Sequence, residues 1–214
     1  MTYLNIVNNV LRRLREEEVT SVQSSTYSKM VGDFVNDAKR MVEDSWDWSG
    51  LRTTLTVTTT AGTFNYVLTG SQNRMKVLDV VNDTSNYFMS YNTSHWFNDK
   101  YLNEDPIAGP PLYYTFNGTD SNGDTQIDVY PKPDGVYNLR FNCILRNDDL
   151  SADSDELFIP AQPVIHLAIA MLARERGETG GTSAPEYFGI ADKYLSDAIA
   201  LDAQKHPEEV IWYS

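Results

Sequence analysis

The stretch Trp46-Asp47-Trp48-Ser49-Gly50-Leu51-Arg52-Thr53-Thr54-Leu55-Thr56-Val57-Thr58 decides the fold, because the spacing of apolar residues changes inside it. Upstream, apolar positions recur every three or four residues, the period of one helix face. From Leu51 onward they alternate, the period of a half-buried strand. Leu51, Thr53, Leu55 and Val57 share one face, and the threonine-rich run suits a strand, where β-branched side chains pack well.

Toward the N-terminus, Leu4, Val7, Val10, Leu11 and Leu14 predict an amphipathic helix over 3–17 with Thr2 as its cap. A serine-rich turn over 21–25 leads to a second helix. Its wide stripe comprises Tyr27, Met30, Val31, Phe34, Val35, Ala38, Met41 and Val42, and it ends near 46–50 with Gly50 as a left-handed cap. Toward the C-terminus, Ala61-Gly62 predicts a turn, with Phe64, Tyr66 and Leu68 on the return strand. A second hairpin is expected from 76–81 and 86–91. Three more strands are expected over 112–116, 126–130 and 136–145, separated by the turn signals Asn122-Gly123 and Asp134-Gly135. An irregular stretch over 93–111 has room for a short helix from Ser94 to about Leu102.

Helical period returns at Ile159-Pro160. The run Val164–Ala173 is apolar almost all round, the mark of a central packed helix, and Gly177 stops it. Ser183-Ala184-Pro185-Glu186 reads as a capping box. The following helix has Phe188, Ala191, Leu195, Ala198 and Leu201 on one face, widened by Tyr187, Tyr194 and Ile199, and Pro207 ends it. Four helices that each need cover, two at either end, predict an α+β fold. Its N- and C-terminal helix pairs form a four-helix bundle with an inserted antiparallel β-sandwich or barrel-like domain. The expected boundaries are 1–50 with 157–207 for the bundle, 51–147 for the β domain, 148–156 for an acidic linker and 208–214 for an apolar tail.

A net charge of −13, from 17 basic and 30 acidic residues, argues against grip on nucleic acid, which needs clustered Lys and Arg. The one dense basic group, Arg12, Arg13 and Arg15, runs straight into Glu16, Glu17 and Glu18. A single cysteine, Cys143, on the apolar face of a predicted strand, reads as a buried, inert thiol. Neither a secretory signal nor a run of ~20 apolar residues is present, so no membrane association is expected.

The residues offer little for catalysis. The 3 histidines lie far apart, and the nucleophile-elbow, zinc-protease, phosphate-loop and dinucleotide motifs are absent. No catalytic residue, metal site or cofactor is expected. His166, alone among apolar neighbours, reads as a hydrogen-bonded core or interface residue, and His206 as a helix-end cation. Asp120, Asn122, Asp124 and Asp128 faintly match a calcium loop, but the glycine falls one place early and the closing glutamate is missing, so a hairpin turn is the better reading. A carboxylate pair for glycoside hydrolysis is not excluded by residue types, but nothing fixes its spacing. Of 13 Tyr, 8 Phe and 4 Trp, many fall between Tyr87 and Phe116. Tyr91, His95, Trp96, Phe97 and Tyr101 are the candidates for a partner-facing loop, toward protein or stacked on sugar rings.

Residues Val129-Tyr130-Pro131-Lys132-Pro133-Asp134-Gly135-Val136-Tyr137-Asn138-Leu139-Arg140 form a Tyr-Pro-x-Pro-Asp turn followed by a Tyr-x-Leu-x-Phe strand. An Asp-rich stretch, Ile159-Pro160 and the apolar helix bearing His166 come next. This order resembles the head-to-tail adaptor, or tail tubular, proteins of short-tailed bacteriophages, in a signature of about 45 residues. The resemblance implies a structural virion protein, assembled in the host cytoplasm and placed in the neck or tail. It implies a homo-oligomeric ring, twelve-fold in the family, that links the portal protein to the tail nozzle or tube and lines part of the DNA ejection channel. Genome DNA would pass through without specific binding, kept off the wall by carboxylates. The tail residues Val210, Ile211, Trp212 and Tyr213 would then be a portal or subunit interface, since a solvated monomer has no use for such a run. The competing readings are another joining protein, such as a nozzle or stopper, or a carbohydrate-binding tail protein.

Overall fold

The computed structural model describes residues 1–72, 74–177 and 184–205, and divides into two units. One comprises Met1–Leu51 and the chain from Asn147 onward, and the other is Arg52–Arg146.

In the first unit, α1 (Tyr3–Arg13) buries Ile6, Val7, Val10 and Leu11. Arg15 takes a left-handed backbone (φ 60°), so the helix stops short of residue 17. The Thr2 side chain makes no cap. The free first-turn amides of Tyr3 and Leu4 donate instead to the carbonyls of Asp155 at 2.8 Å and Asp153 at 3.2 Å. The acidic segment before α4 is thus docked against the N-terminus of α1. A Ser25–Ser28 capping box starts α2 (Thr26–Ser45). Gly32 lies so close to the Tyr3 ring and Val22 that a side chain would not fit. Gly50 is not a left-handed cap: α2 ends earlier, and a Cβ at Gly50 would fall on the carbonyl oxygen of Phe158.

Helix α4 (Ala161–Arg176) buries residues around its whole circumference, from Val164 and Ile165 to Leu172 and Ala173, and ends on Gly177 with φ 62°. The expected four-helix bundle is not what forms. α1, α2 and α4 pack on one another, whereas the principal neighbour of α5 (Ala184–Ala203) is α4. The physical reason lies in α5 itself. Its buried positions are Ala184, Ala191 and Asp202, small or polar residues that let it lie along one helix without inserting an apolar ridge between two. Its last turn is tied down by Asp202, which accepts from the Ser49 amide at 2.8 Å and the Ser49 hydroxyl at 2.5 Å.

The second unit holds two four-stranded sheets whose facing side chains form one core, in the manner of a sandwich. Its elements are β1 (Arg52–Thr58), β2 (Asn65–Val67), β3 (Met75–Asn82), β4 (Tyr87–Phe88), β5 (Ser90–Tyr91), α3 (Ser94–Leu102), β6 (Tyr113–Thr119), β7 (Thr125–Tyr130) and β8 (Asn138–Leu145). Strand order is β1-β8-β3-β4 in one sheet and β2-β7-β6-β5 in the other. The expected β1–β2 hairpin does not form. β1 pairs along its length with β8, from Arg52 opposite Ile144 to Thr58 opposite Asn138, and the chain turns at Gly62 (φ 82°) into the other sheet. It changes sheets again at Met89, between β4 and β5. The sandwich is not wholly antiparallel, because β5 runs parallel to β6. Val57, Val80, Leu139 and Phe141 from one sheet meet Tyr114, Ile127 and Val129 from the other, with Leu68 and Met89 beside them.

Candidate functional site

Helix α3 forms where Thr93 accepts from the Trp96 amide (3.3 Å), and it lies against β6. The Trp96 ring meets Tyr113 edge-on at 5.0 Å and Tyr130 at 5.3 Å, and Phe97 beneath it is 2% exposed. Tyr101 stacks on Phe64 at 4.4 Å and donates its hydroxyl to the Val129 carbonyl at 2.6 Å. Burial, aided by the Asp128 charge, pushes the Tyr101 hydroxyl pKa well above its ordinary value. Phe97 is therefore core, Trp96 and Tyr101 are half-buried packing residues, and His95 is exposed on the outside of α3.

Tyr91, 54% exposed on β5, belongs to a different surface. Its ring packs on Tyr114 at 5.8 Å and Phe116 at 6.1 Å, whereas Trp96 packs on Tyr113. Neighbouring residues of a strand point to opposite faces, so the five aromatic-loop candidates divide between two sides of the sheet. Val210, Ile211, Trp212 and Tyr213, like His206 and Ser183 of the expected capping box, lie outside the described residues.

His166 stands where α1, α4 and α5 meet. Arg13 donates to its Nε2 at 2.6 Å, and its ring stacks on Tyr194 at 4.2 Å. Burial, reinforced by the Arg13 cation, lowers its pKa from the ordinary 6.5. Cys143 is fully buried, and that burial raises its thiol pKa. Asp120 closes the β6–β7 turn by accepting from the Asn122 and Asp124 amides at 2.8 and 2.9 Å, while Asp124 accepts from the amides of Gly70 and Gln72. These oxygens are occupied by backbone. Among the described residues, His, Cys, Asp and Glu do not gather in threes as metal ligands, and no helix is long and apolar enough to cross a membrane.

Two features escape the sequence reading. On α2, Lys39 is fully buried, 3.0 Å from the equally buried Glu43, and donates to the carbonyls of Asn147 at 2.8 Å and Asp148 at 2.9 Å. Asn36 both donates to and accepts from the Leu150 backbone, so one polar row of α2 holds the 147–150 segment. On α5, Tyr187, Ile190, Tyr194 and Leu201 are 38%, 44%, 40% and 67% exposed. They follow the spacing of a single helix face; Tyr187, Tyr194 and Leu201 belong to the stripe that the sequence expected to be covered in a bundle, and Ile190 joins them. Among the described residues, α5 thus leaves part of its apolar face exposed, although Tyr194 also stacks on His166.

Compared with known families, residues 1–209 match the model described as SU10 adaptor protein. The chain belongs to the SU10 adaptor protein family. It is a family of phage head-to-tail adaptors, so the chain is a structural component of a virion that interacts with other head and tail proteins. None of the curated proteins matches it. This SU10 adaptor therefore carries exposed apolar residues on α5 among its described residues.

Proposed function

We propose that this adaptor forms a ring beneath the portal, links it to the tail nozzle or tube, and contributes to the channel through which DNA leaves. The family match over 1–209 carries this reading. Three features of the chain support it. The charge of −13 suits a channel wall that DNA must pass without sticking. The outward stripe on α5 offers apolar area for a neighbouring molecule. Residues 210–213 supply a further apolar run that a portal or neighbouring subunit can bury. In this reading the protein works by shape and contact, without a catalytic step, and screening for glycosidase activity should give none.

The test is deletion of residues 208–214. The expected result is a folded monomer that no longer assembles onto the portal, and normal portal binding by the truncated chain would sink the assignment. A sugar-binding role draws on the exposed Tyr91 alone, since Trp96 and Tyr101 are engaged in packing. A glycan array separates that reading from the adaptor one.

A further inference from the structure

An edge strand leaves a row of backbone N–H and C=O groups open to another chain, and folded proteins commonly blunt such edges. The two sheets have four edges, on β1, β4, β2 and β5. Three of them are blunted. β4 and β5 are two residues long and β2 is three. The part of β3 left open beyond β4 carries Lys76, Asp79 and a register shift between Val77 and Asp79. β1 has none of these devices. It is seven residues long, holds no proline, and keeps an unbroken register with β8 from Arg52 opposite Ile144 to Thr58 opposite Asn138. Among the described residues, no strand pairs with its other side.

The ladder fixes which groups are left open. The Thr59 amide donates to the Tyr137 carbonyl at 2.9 Å, one step beyond the Thr58–Asn138 pair. Hydrogen-bonded pairs alternate along an antiparallel ladder, so Thr53, Leu55 and Val57 turn their backbone groups toward β8. Thr54, Thr56 and Thr58 turn theirs to the open side, and all three residues are exposed.

We propose that this edge pairs antiparallel with β1 of a second copy of the chain, in full overlap about Leu55. Leu55 then faces Leu55 of the second copy, Thr54 faces Thr56, and Thr58 faces Arg52. The strand is self-complementary in this register, as a two-fold interface requires. Leu55 lies on the core side of the sheet but is only partly buried there, and the facing leucine covers the remainder. Charge points to the same occupant. Two chains of net charge −13 repel, yet residues 53–73 hold no charged side chain, so two copies meet here without opposed carboxylates. An interface made of one edge falls at the small end of the size range, below about 1,200 Å² in total, and is weak. The chain therefore stays monomeric in the dilute solutions of native mass spectrometry and pairs in concentrated ones. This inference stands on the sheet alone and needs neither portal nor ring.

The test is sedimentation of the full chain over a rising concentration series, with Thr56→Pro beside the wild type. The Thr56 amide faces the open side, so proline there removes a donor from the pairing without breaking a bond to β8. The expected result is a weight-average mass that climbs toward twice the monomer's in wild type and stays at the monomer's in the variant. Cysteines read the register independently of how well the proline variant folds. Under mild oxidation Leu55→Cys should give a disulfide-linked dimer, since facing Cα atoms at such a pair lie about 4.5 Å apart. Thr58→Cys, set opposite Arg52, should not. A wild type that stays monomeric at the highest concentration would overturn the proposal. Self-association untouched by Thr56→Pro would overturn it too, by placing the second copy on another surface, and so would linkage of both cysteine variants or of neither. Portal binding does not enter, so failure here leaves the adaptor reading standing.

Discussion

α4 and α5 are neighbours of comparable length, 16 and 20 residues, with opposite relations to solvent. α4 buries Val164, Ile165, Leu167, Ala168, Ile169, Ala170, Leu172 and Ala173, whereas α5 buries Ala184, Ala191 and Asp202. At about 25 cal/mol for each Å² of apolar surface removed from water, α4 stabilises the unit from every side. α5 packs chiefly along α4 and leaves Tyr187, Ile190, Tyr194 and Leu201 exposed. Both helices are rich in apolar residues, so apolar content shows that a helix will be covered without showing by what. In α4 the chain covers itself, and in α5 part of the apolar face is left exposed among the described residues.

The comparison can be broken most strongly at α4. Leu172 has no exposed surface, so Leu172→Ala removes packing on all sides and should cost about 2–5 kcal/mol, measured by urea denaturation. A loss below about 1 kcal/mol would mean that α4 is not the centre of the unit. Asp202 sharpens the contrast, because it holds the end of α5 through hydrogen bonds rather than packing. Asp202→Ala should cost about 1–3 kcal/mol, with faster hydrogen exchange concentrated in the last turns of α5.

A smaller effect follows from pH. His166 has a folded pKa below the ordinary 6.5, so the unfolded chain takes up the proton first, and stability falls as pH drops through that value. Asp202 adds a second loss at lower pH. Burial alone would raise its pKa, but hydrogen bonds from Ser49 and Lys205 outweigh that and hold it below the usual 3.8. Its contribution is therefore present above that value and lost as pH falls through the lower folded pKa. Denaturation at pH 7.5 and 5.5 should show wild type losing stability, while His166→Gln loses less across the same interval. Smallest of all is Tyr187→Ser on the exposed end of α5, expected to change stability of the free protein by no more than about 0.5 kcal/mol.

Much of the layout was legible because it is written in local periods. The change of spacing at Leu51 marks the entry to β1, and the all-round apolar run of 164–173 marks α4 as central. What escaped depends on partners distant in sequence. Nothing near β1 says that it pairs with β8, about 85 residues away, rather than with β2. Lys39 and Glu43 look like solvent-facing helix residues, and they are buried because the 147–150 segment lays its carbonyls over them. Trp96, Phe97 and Tyr101 look like a binding loop, and they pack because Phe64, Tyr113 and Tyr130 converge on them from the sheet. On α5 the pattern shows a broad apolar face but not which part of it the α4 contact leaves open.

The central claim is that this chain is an adaptor whose outward surfaces are completed by assembly, and native mass spectrometry with and without the cognate portal tests it most directly. The account predicts a monomer alone and a discrete complex of several copies bound to the portal. A chain that stays monomeric and unbound in the presence of the portal would contradict it.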